Sequence, residues 1–265
     1  MTKSSDARLA KMHEWLGDVL GLKTELLPLA VEASTRRFFR ISGPTRSMIV
    51  MDSPPQTENN QQFVALSRVF RANRIPVPKI IAVNPDQGFI LVEDFGDHLF
   101  YNAYRKGTKI RDLCLKLATD NLVKLQEIHS NYIHNYSVER FNRELMIFDE
   151  WVLRQLVKTS SQPLDKIKPL LINATQDQRQ TTIHRDYHSR NLLLRADNQL
   201  GIIDYQDALV GPIAYDLASL VYDCYVDLPT SIVSETIQRF CELTAQDKDQ
   251  FQRALELTAI QRSLK

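Results

Sequence analysis

The sequence predicts an α+β fold in two unequal parts: a small β-rich first part and a larger, mostly helical second part. Three observations predict it. Short runs of β-branched and aromatic residues crowd into the first 94 residues. Segments with apolar residues at helical spacing dominate the rest of the chain. A brief β region returns between about residues 181 and 205 and carries polar residues at fixed offsets. Strands first and helices later is the order of an α+β domain or of two separate units. The boundary is placed at a strand end near Glu93–Gly96, which divides the chain into residues 1–94 and 95–265.

In chain order, residues 5–21 repeat Leu9, Met12, Leu16 and Leu20 at the spacing of an amphipathic helix. Strand candidates follow at 26–30, 38–42 and 47–51, and the last two are rich in aromatic and β-branched residues. Pro54 and Pro55 break the chain before a helix over 58–73, with Phe63, Leu66, Val69 and Phe70 on one face. Residues 75–83 approach a strand in extended form, because proline disfavours helix in the residue before it. A fifth strand spans 88–94. Helices are predicted at 110–130, 142–157 and 164–177, and again from about 212 to the end. The last helical pattern runs over Asp249–Leu264.

Bulk properties exclude several classes. A formal net charge of +1 gives no global reason to bind nucleic acid or a membrane surface. Cys114, Cys224 and Cys241 are far apart and form no C-x-x-C pair, which argues against a zinc site or disulfide framework. This usage suits a reducing compartment. The N-terminus lacks an apolar signal core. No run approaches the roughly 20 apolar residues that span a bilayer. A monomeric cytoplasmic protein acting on small molecules is expected.

The chemistry is concentrated in His184-Arg185-Asp186-Tyr187-His188-Ser189-Arg190-Asn191, followed by a short strand and then Ile202-Ile203-Asp204. Asp186 and Asn191 stand in the pattern D-x-x-x-x-N, and Asp204 follows 13 residues after Asn191. A hairpin turned at Asp197-Asn198 sets Asn191 and Asp204 side by side, with Asp186 on the loop leading in. One amide oxygen and two carboxylates then converge. Such oxygen ligands suit magnesium, which takes few protein carboxylates and fills its shell with phosphate oxygens and water. Phosphoryl transfer needs that metal and a base for the attacking hydroxyl. Asp186 is the candidate base, and Asn191 and Asp204 are the candidate metal ligands.

The run from His184 through Asp204-Tyr205-Gln206-Asp207, Gly211-Pro212 and Tyr215-Asp216-Leu217-Ala218 resembles the aminoglycoside phosphotransferase family. That family is a small-molecule branch of the protein-kinase-like fold. The resemblance implies two lobes: a small antiparallel-sheet N-lobe that binds nucleotide, and a larger helical C-lobe with the catalytic loop and acceptor site. Within that branch, four segments resemble bacterial anomeric kinases of N-acetylmuramic acid and N-acetylglucosamine. They are Ala33–Arg40, Ile49–Pro55, Leu91–Gly96 and Glu144 through Trp151. The implied co-substrate is ATP, the implied cofactor Mg2+, and the implied setting cell-wall sugar recycling.

The resemblance also assigns roles. Ser34, Thr35, Arg36 and Arg37 occupy the phosphate loop, which here has no glycine, and the third strand offers no lysine at Val50, Met51 or Asp52. Arginine suits phosphate geometry and is the expected substitute. Ile49, Leu91 and Ile203 would sandwich the base, with Glu93 in the connector. Asp52 reads as a strand-end turn former, and Glu58, lacking that lysine, as a solvated helix-start glutamate. His188, Arg190, Asp207, Asp149 and Trp151 are acceptor-side candidates. His184 and Asp216 read as structural, and Arg185 as the partner of a nearby carboxylate. From His184 onward there are 12 acidic and eight basic residues, too few acids for a cleft built for polycations. An aminoglycoside acceptor, and a catalytically silent nucleotide-binding regulator, are the alternatives. Only 11 residues separate Asp204 from Asp216, too few for a protein kinase's activation loop.

Overall fold

The computed structural model describes residues 7–29, 35–43, 46–160 and 162–264. The chain folds as two compact units. One comprises Met1–Arg71 and Val77–Gly96, the other Ala72–Pro76 and Asp97–Lys265.

The first unit is a five-stranded antiparallel sheet with helices α1 (Ala7–Leu20) and α2 (Asn60–Ala72). Its strands are β1 (Leu27–Leu29), β2 (Arg37–Ser42), β3 (Ser47–Asp52), β4 (Ile80–Asn84) and β5 (Phe89–Glu93). They lie in the order β1-β2-β3-β5-β4. Alternation decides the two faces. In the register Val50↔Leu91 and Phe39↔Val50, alternate residues join Met12 and Leu16 of α1 in one buried cluster with Ile41, Met48 and Phe89. Ile49 pairs with Val92 and points to the opposite face. Gly88 turns β4 into β5 at φ +71, and a Cβ there would lie 2.0 Å from the Ser53 carbonyl oxygen, so only glycine fits.

The second unit is mainly helical. Its elements are α3 (Phe100–Ala103), α4 (Thr108–Gln126), β6 (His134–Asn135), α5 (Val138–Phe148), α6 (Gln162–Gln176), β7 (Gln180–Ile183), β8 (Leu192–Leu194), β9 (Leu200–Ile202), β10 (Leu209–Pro212), α7 (Tyr215–Val221), α8 (Thr230–Thr244) and α9 (Lys248–Ser263). In α4, Cys114, Leu115, Ala118, Leu122 and Leu125 recur at helical spacing and are buried. Ser137 caps α5 by accepting from Arg140 N at 3.2 Å. The single helix expected over 142–157 is two elements: α5, then a π-helical run over Asp149–Val157. A π-helix bonds i→i+5 and so does not keep the α-helical apolar period, and no residue of this run is buried.

Two short strands had no signal in the sequence. β10 runs antiparallel to β7 and parallel to β6. The predicted hairpin forms as β8 and β9, with Leu192↔Ile202 in register and Asn198 in the left-handed conformation at φ 57. Among the described residues, no helix is long and apolar enough to cross a membrane.

Candidate active site

Pairing with β10 fixes the course of β7, and the chain leaves that strand straight into His184. His184 and Arg185 are buried, and their backbone amides donate to the two oxygens of one carboxylate, Asp216, at 2.6 and 2.9 Å. Asp216 lies in the first turn of α7, every residue of which is buried. Burial pushes its carboxyl above the ordinary value, and the His184 and Arg185 amides and the nearby Arg262 pull it back. Gripped this way, Arg185 adopts φ 80, a conformation costly for a side-chain-bearing residue.

His184 links the loop to the hairpin. Its Nδ1 accepts from Asp186 N at 3.3 Å, which leaves Nε2 to donate to Ile203 O at 2.9 Å. Ile203 N in turn donates to Asn191 O at 3.0 Å. These bonds set Asn191 and Asp204 together. Asn191 Nδ2 donates to Asp186 O at 3.0 Å and stands 3.4 Å from Asp204 Oδ2. Gln206 Nε2 donates to Asp204 Oδ1 at 2.7 Å and orients that carboxylate. Asp204 itself sits at φ 65, which turns its side chain out of the strand direction. Asp186 is half-buried and Asp204 exposed.

This donor set fits magnesium. Among the described residues no group of three or more His, Cys, Asp or Glu side chains forms a metal cage. One carboxylate and one amide, with room for phosphate oxygens and water, is the sparse ligation this ion accepts. The 3.4 Å from Asn191 Nδ2 to Asp204 Oδ2 sets the amide beside the carboxylate, and it is the amide oxygen, not this nitrogen, that would ligate a cation.

Arg185 Nη2 donates to Glu144 Oε1 of α5 at 2.8 Å, and Tyr136 donates its hydroxyl to the same carboxylate. Burial, with the neighbouring Tyr215 and Glu144, holds the Tyr136 phenol well above its usual range, so it stays a donor. Asp207 is exposed, 3.9 Å from Arg185 Nη1. Arg190 stacks on the rings of Tyr225 at 3.8 Å and Tyr101 at 5.3 Å. His188 packs edge-on against Tyr225 at 5.2 Å. Burial holds its imidazole below the ordinary value, against the pull of Asp223 and Asp186. Asp149 and Trp151 are placed differently. Asp149 accepts from Arg154 at 2.8 Å and Trp151 is exposed. Among the described residues neither makes a hydrogen bond or ion pair to the 184–191 loop.

In the first unit, Ser34 lies outside the described residues. Thr35 donates its hydroxyl to Glu58, and Arg36 meets Glu58 Oε2 at 2.6 Å. Glu58 is therefore a partnered carboxylate, not the solvated glutamate expected, because Arg36 supplies the cation that the third strand lacks. Asp52 is likewise more than a turn former. It is buried, and it accepts from Arg8 Nε at 2.8 Å and Arg37 Nε at 2.9 Å. Leu91 is part of the α1 core, on the face opposite Ile49, so the two cannot flank one ring from one side of the sheet. Glu93 accepts from Lys79 N at 3.3 Å and lies 3.4 Å from Arg46.

Sequence reasoning missed Gln206, Asp223 and Tyr225. Gln206 had a signal, its offset of two from Asp204 in a solvent-facing turn. Asp223 and Tyr225 had none. Asp223 is buried and accepts from Ser189 N and Tyr225 N, both at 2.8 Å, an arrangement across 34 residues that only the fold creates.

The antiparallel sheet, the helical second unit and the buried aspartate under the loop define a kinase-like phosphotransferase. The chain belongs to the phosphotransferase enzyme family, whose model matches residues 25–252. It is 32% identical to the N-acetylmuramate/N-acetylglucosamine kinase of Pseudomonas aeruginosa, across 99% of this chain and 84% of that one. The enzyme of the same name from Neisseria meningitidis is 29% identical, across 97% and 81%. Among solved structures it is similar to the gentamicin complex of APH(2″)-IIa, with TM-score 0.69 and 16% identity over 96% of this chain and 85% of that one. An ethanolamine kinase from Plasmodium vivax gives TM-score 0.68 and 13% identity over 91% and 74%. At these identities the structures speak for the fold alone.

Proposed function

We propose that the chain transfers the terminal phosphoryl group of ATP to the anomeric hydroxyl of N-acetylmuramate or N-acetylglucosamine. The observation that carries the reading is the grouping of Asp186, Asn191 and Asp204 by backbone bonds running through His184 and Ile203. The shared name of the curated relatives supplies the acceptor. Asp186 accepts the proton of the attacking hydroxyl. Asn191 and Asp204 would hold Mg2+, which would neutralise charge on the phosphates. Thr35 and Arg36 supply phosphate contacts in place of the strand lysine, while Arg37 belongs with Asp52. Ile49 and Ile203 are the apolar residues assigned to the base. The enzyme acts as a cytoplasmic monomer.

The test is ADP release with each sugar in the presence of magnesium, with phosphorus NMR to locate the new ester. An acid-labile sugar 1-phosphate is expected. Asp186→Asn should lower kcat by about 10²–10⁴-fold, with nucleotide affinity by calorimetry unchanged. Turnover near the wild-type rate in that variant sinks the assignment of the base.

A further inference from the structure

The third strand contains no lysine, yet a guanidinium lies at its end. Arg37 pairs in register with Asp52, the last residue of β3, and Arg36 Nε donates to the next residue, at Ser53 Oγ, at 3.3 Å. Continuing the alternation of β2 by one residue puts Arg36 on the side of Phe38 and Arg40, and Arg40 pairs with Ile49. That is the face of the sheet opposite α1, the face that carries the residue assigned to the base.

Arg36 Nη2 meets Glu58 Oε2 at 2.6 Å, and the Thr35 hydroxyl donates to Glu58 Oε1. One carboxylate thus holds two neighbouring residues of the candidate phosphate loop, one with each oxygen. The side chains of Arg36 and Glu58 are 10% and 16% exposed, so water screens this pair less than an ordinary surface pair. Glu58 is itself fixed. Its amide and that of Thr57 donate to Pro54 O at 3.0 and 3.1 Å, which closes the turn after β3. Asn60, the first residue of α2, ties that turn to the strand. Its Nδ2 donates to Ser53 O at 2.7 Å, and its Oδ1 accepts from Ser53 Oγ at 2.6 Å. The plane of the Arg36 guanidinium is therefore set by a carboxylate and a hydroxyl that are both anchored. A guanidinium presents its N–H donors in a rigid fork, so one held in this way can meet a phosphate as well.

We propose that Glu58 is a positioning residue for the nucleotide phosphates, acting through Arg36. The inference rests on the reading of the chain as an ATP-dependent kinase. Protein kinases build such an ion pair from a third-strand lysine and a helix glutamate. Here the cation comes from the residue before β2 and the carboxylate from the turn before α2, and they meet at the end of β3. Glu58 touches no phosphate, since two anions repel. Its contribution is preorganisation: an arginine already ordered loses less side-chain freedom when it takes its ligand.

The experiment measures binding of ATP with magnesium, and of adenosine, to the full chain by calorimetry. The proteins are wild type, Arg36→Gln, Glu58→Gln and the double variant. Arg36→Gln should weaken ATP about tenfold or more, the usual loss of a charge-assisted bond. Glu58→Gln keeps the side-chain volume and should weaken ATP about three- to tenfold, the range for one long side chain losing its prior order. In the Arg36→Gln background the same change should cost less than about twofold, because Glu58 then has nothing to position. Adenosine has no phosphates, and its affinity should change less than about twofold in every variant, which also shows that they fold. Tighter ATP binding by Glu58→Gln would make Glu58 a competitor for Arg36 and overturn the proposal. So would unchanged ATP affinity, losses that add in the double variant, or equal losses for adenosine. A wild type that shows these selective losses on substitution but phosphorylates neither sugar upholds the pair and overturns the sugar-kinase reading instead. No binding of ATP by the wild type overturns both.

Discussion

The pair Glu144–Arg185 ties α5 to the residue that precedes Asp186, and removing it tests whether the loop is held from outside itself. Glu144 is 7% exposed and Arg185 5%. In Glu144→Met the Arg185 guanidinium stays buried, and Asp207, 3.9 Å away, is exposed. Breaking a buried pair by removing one partner costs about 3–5 kcal/mol. At about 2–4 °C per kcal/mol for a chain of this size class, the melting temperature should drop by on the order of 10 °C. Arg185→Met alone should cost a similar amount, since Glu144 is then the unpaired charge. The double variant Glu144→Met/Arg185→Met should recover most of the loss, because an apolar pair of similar volume replaces an ionic one at little cost. A residual penalty of about 1–3 kcal/mol remains for the Tyr136 hydroxyl, which loses its acceptor and keeps only Gln261 Nε2 at 3.4 Å. The assay is urea unfolding of the wild type, the two single variants and the double, read as a double-mutant cycle. Single-variant losses that simply add in the double would refute the clamp.

Three further outcomes rest on the same geometry. Gln206→Ala frees Asp204 Oδ1 and should raise the magnesium concentration for half-maximal rate about 10–100-fold, the usual effect of losing an outer partner of a metal ligand; an unchanged titration would show that Asp204 is not the ligand. Asp216→Asn puts an NH2 donor in place of one of the two oxygens that accept backbone amides, and should lower stability by about 1–3 kcal/mol, read as a shifted urea midpoint. Burial alone would raise the Asp94 carboxyl, but bonds from Arg40, Ser47 and Gly96 outweigh it and hold the group below its ordinary value. The folded pKa being the lower one, the stabilisation is fully present above about pH 4 and is lost as pH falls through the folded value. The wild type's advantage over Asp94→Asn should therefore stay level from neutral pH to about pH 4 and shrink below it; a difference that already vanishes by pH 6 would contradict the ion pair.

The features legible in the sequence are those that depend on near neighbours. The hairpin of β8 and β9 is set by two apolar triplets and an Asp-Asn turn, so the offsets of Asp186, Asn191 and Asp204 could be read as a geometry before any coordinates. The faces of β3 and β5 could not, because a strand's alternation says which residues share a side but not which side meets α1. That is how Ile49 and Leu91 came to be grouped though they point apart. The polar clusters were hidden for a related reason. Arg8 reaches Asp52 across 44 positions and Arg185 reaches Glu144 across 41. No local pattern names such a partner: a buried arginine needs a carboxylate somewhere, and only the packing of α5 says which. The 184–191 loop is the intersection of these two regimes. The offsets of Asp186 and Asn191 are set by local chain geometry, yet the left-handed Arg185 and the grip on the loop's amides come from α5, α7 and the 223–225 turn. Substitutions at Glu144, Asp216 or Asp223 should therefore disturb the chemistry from positions that carry none of it.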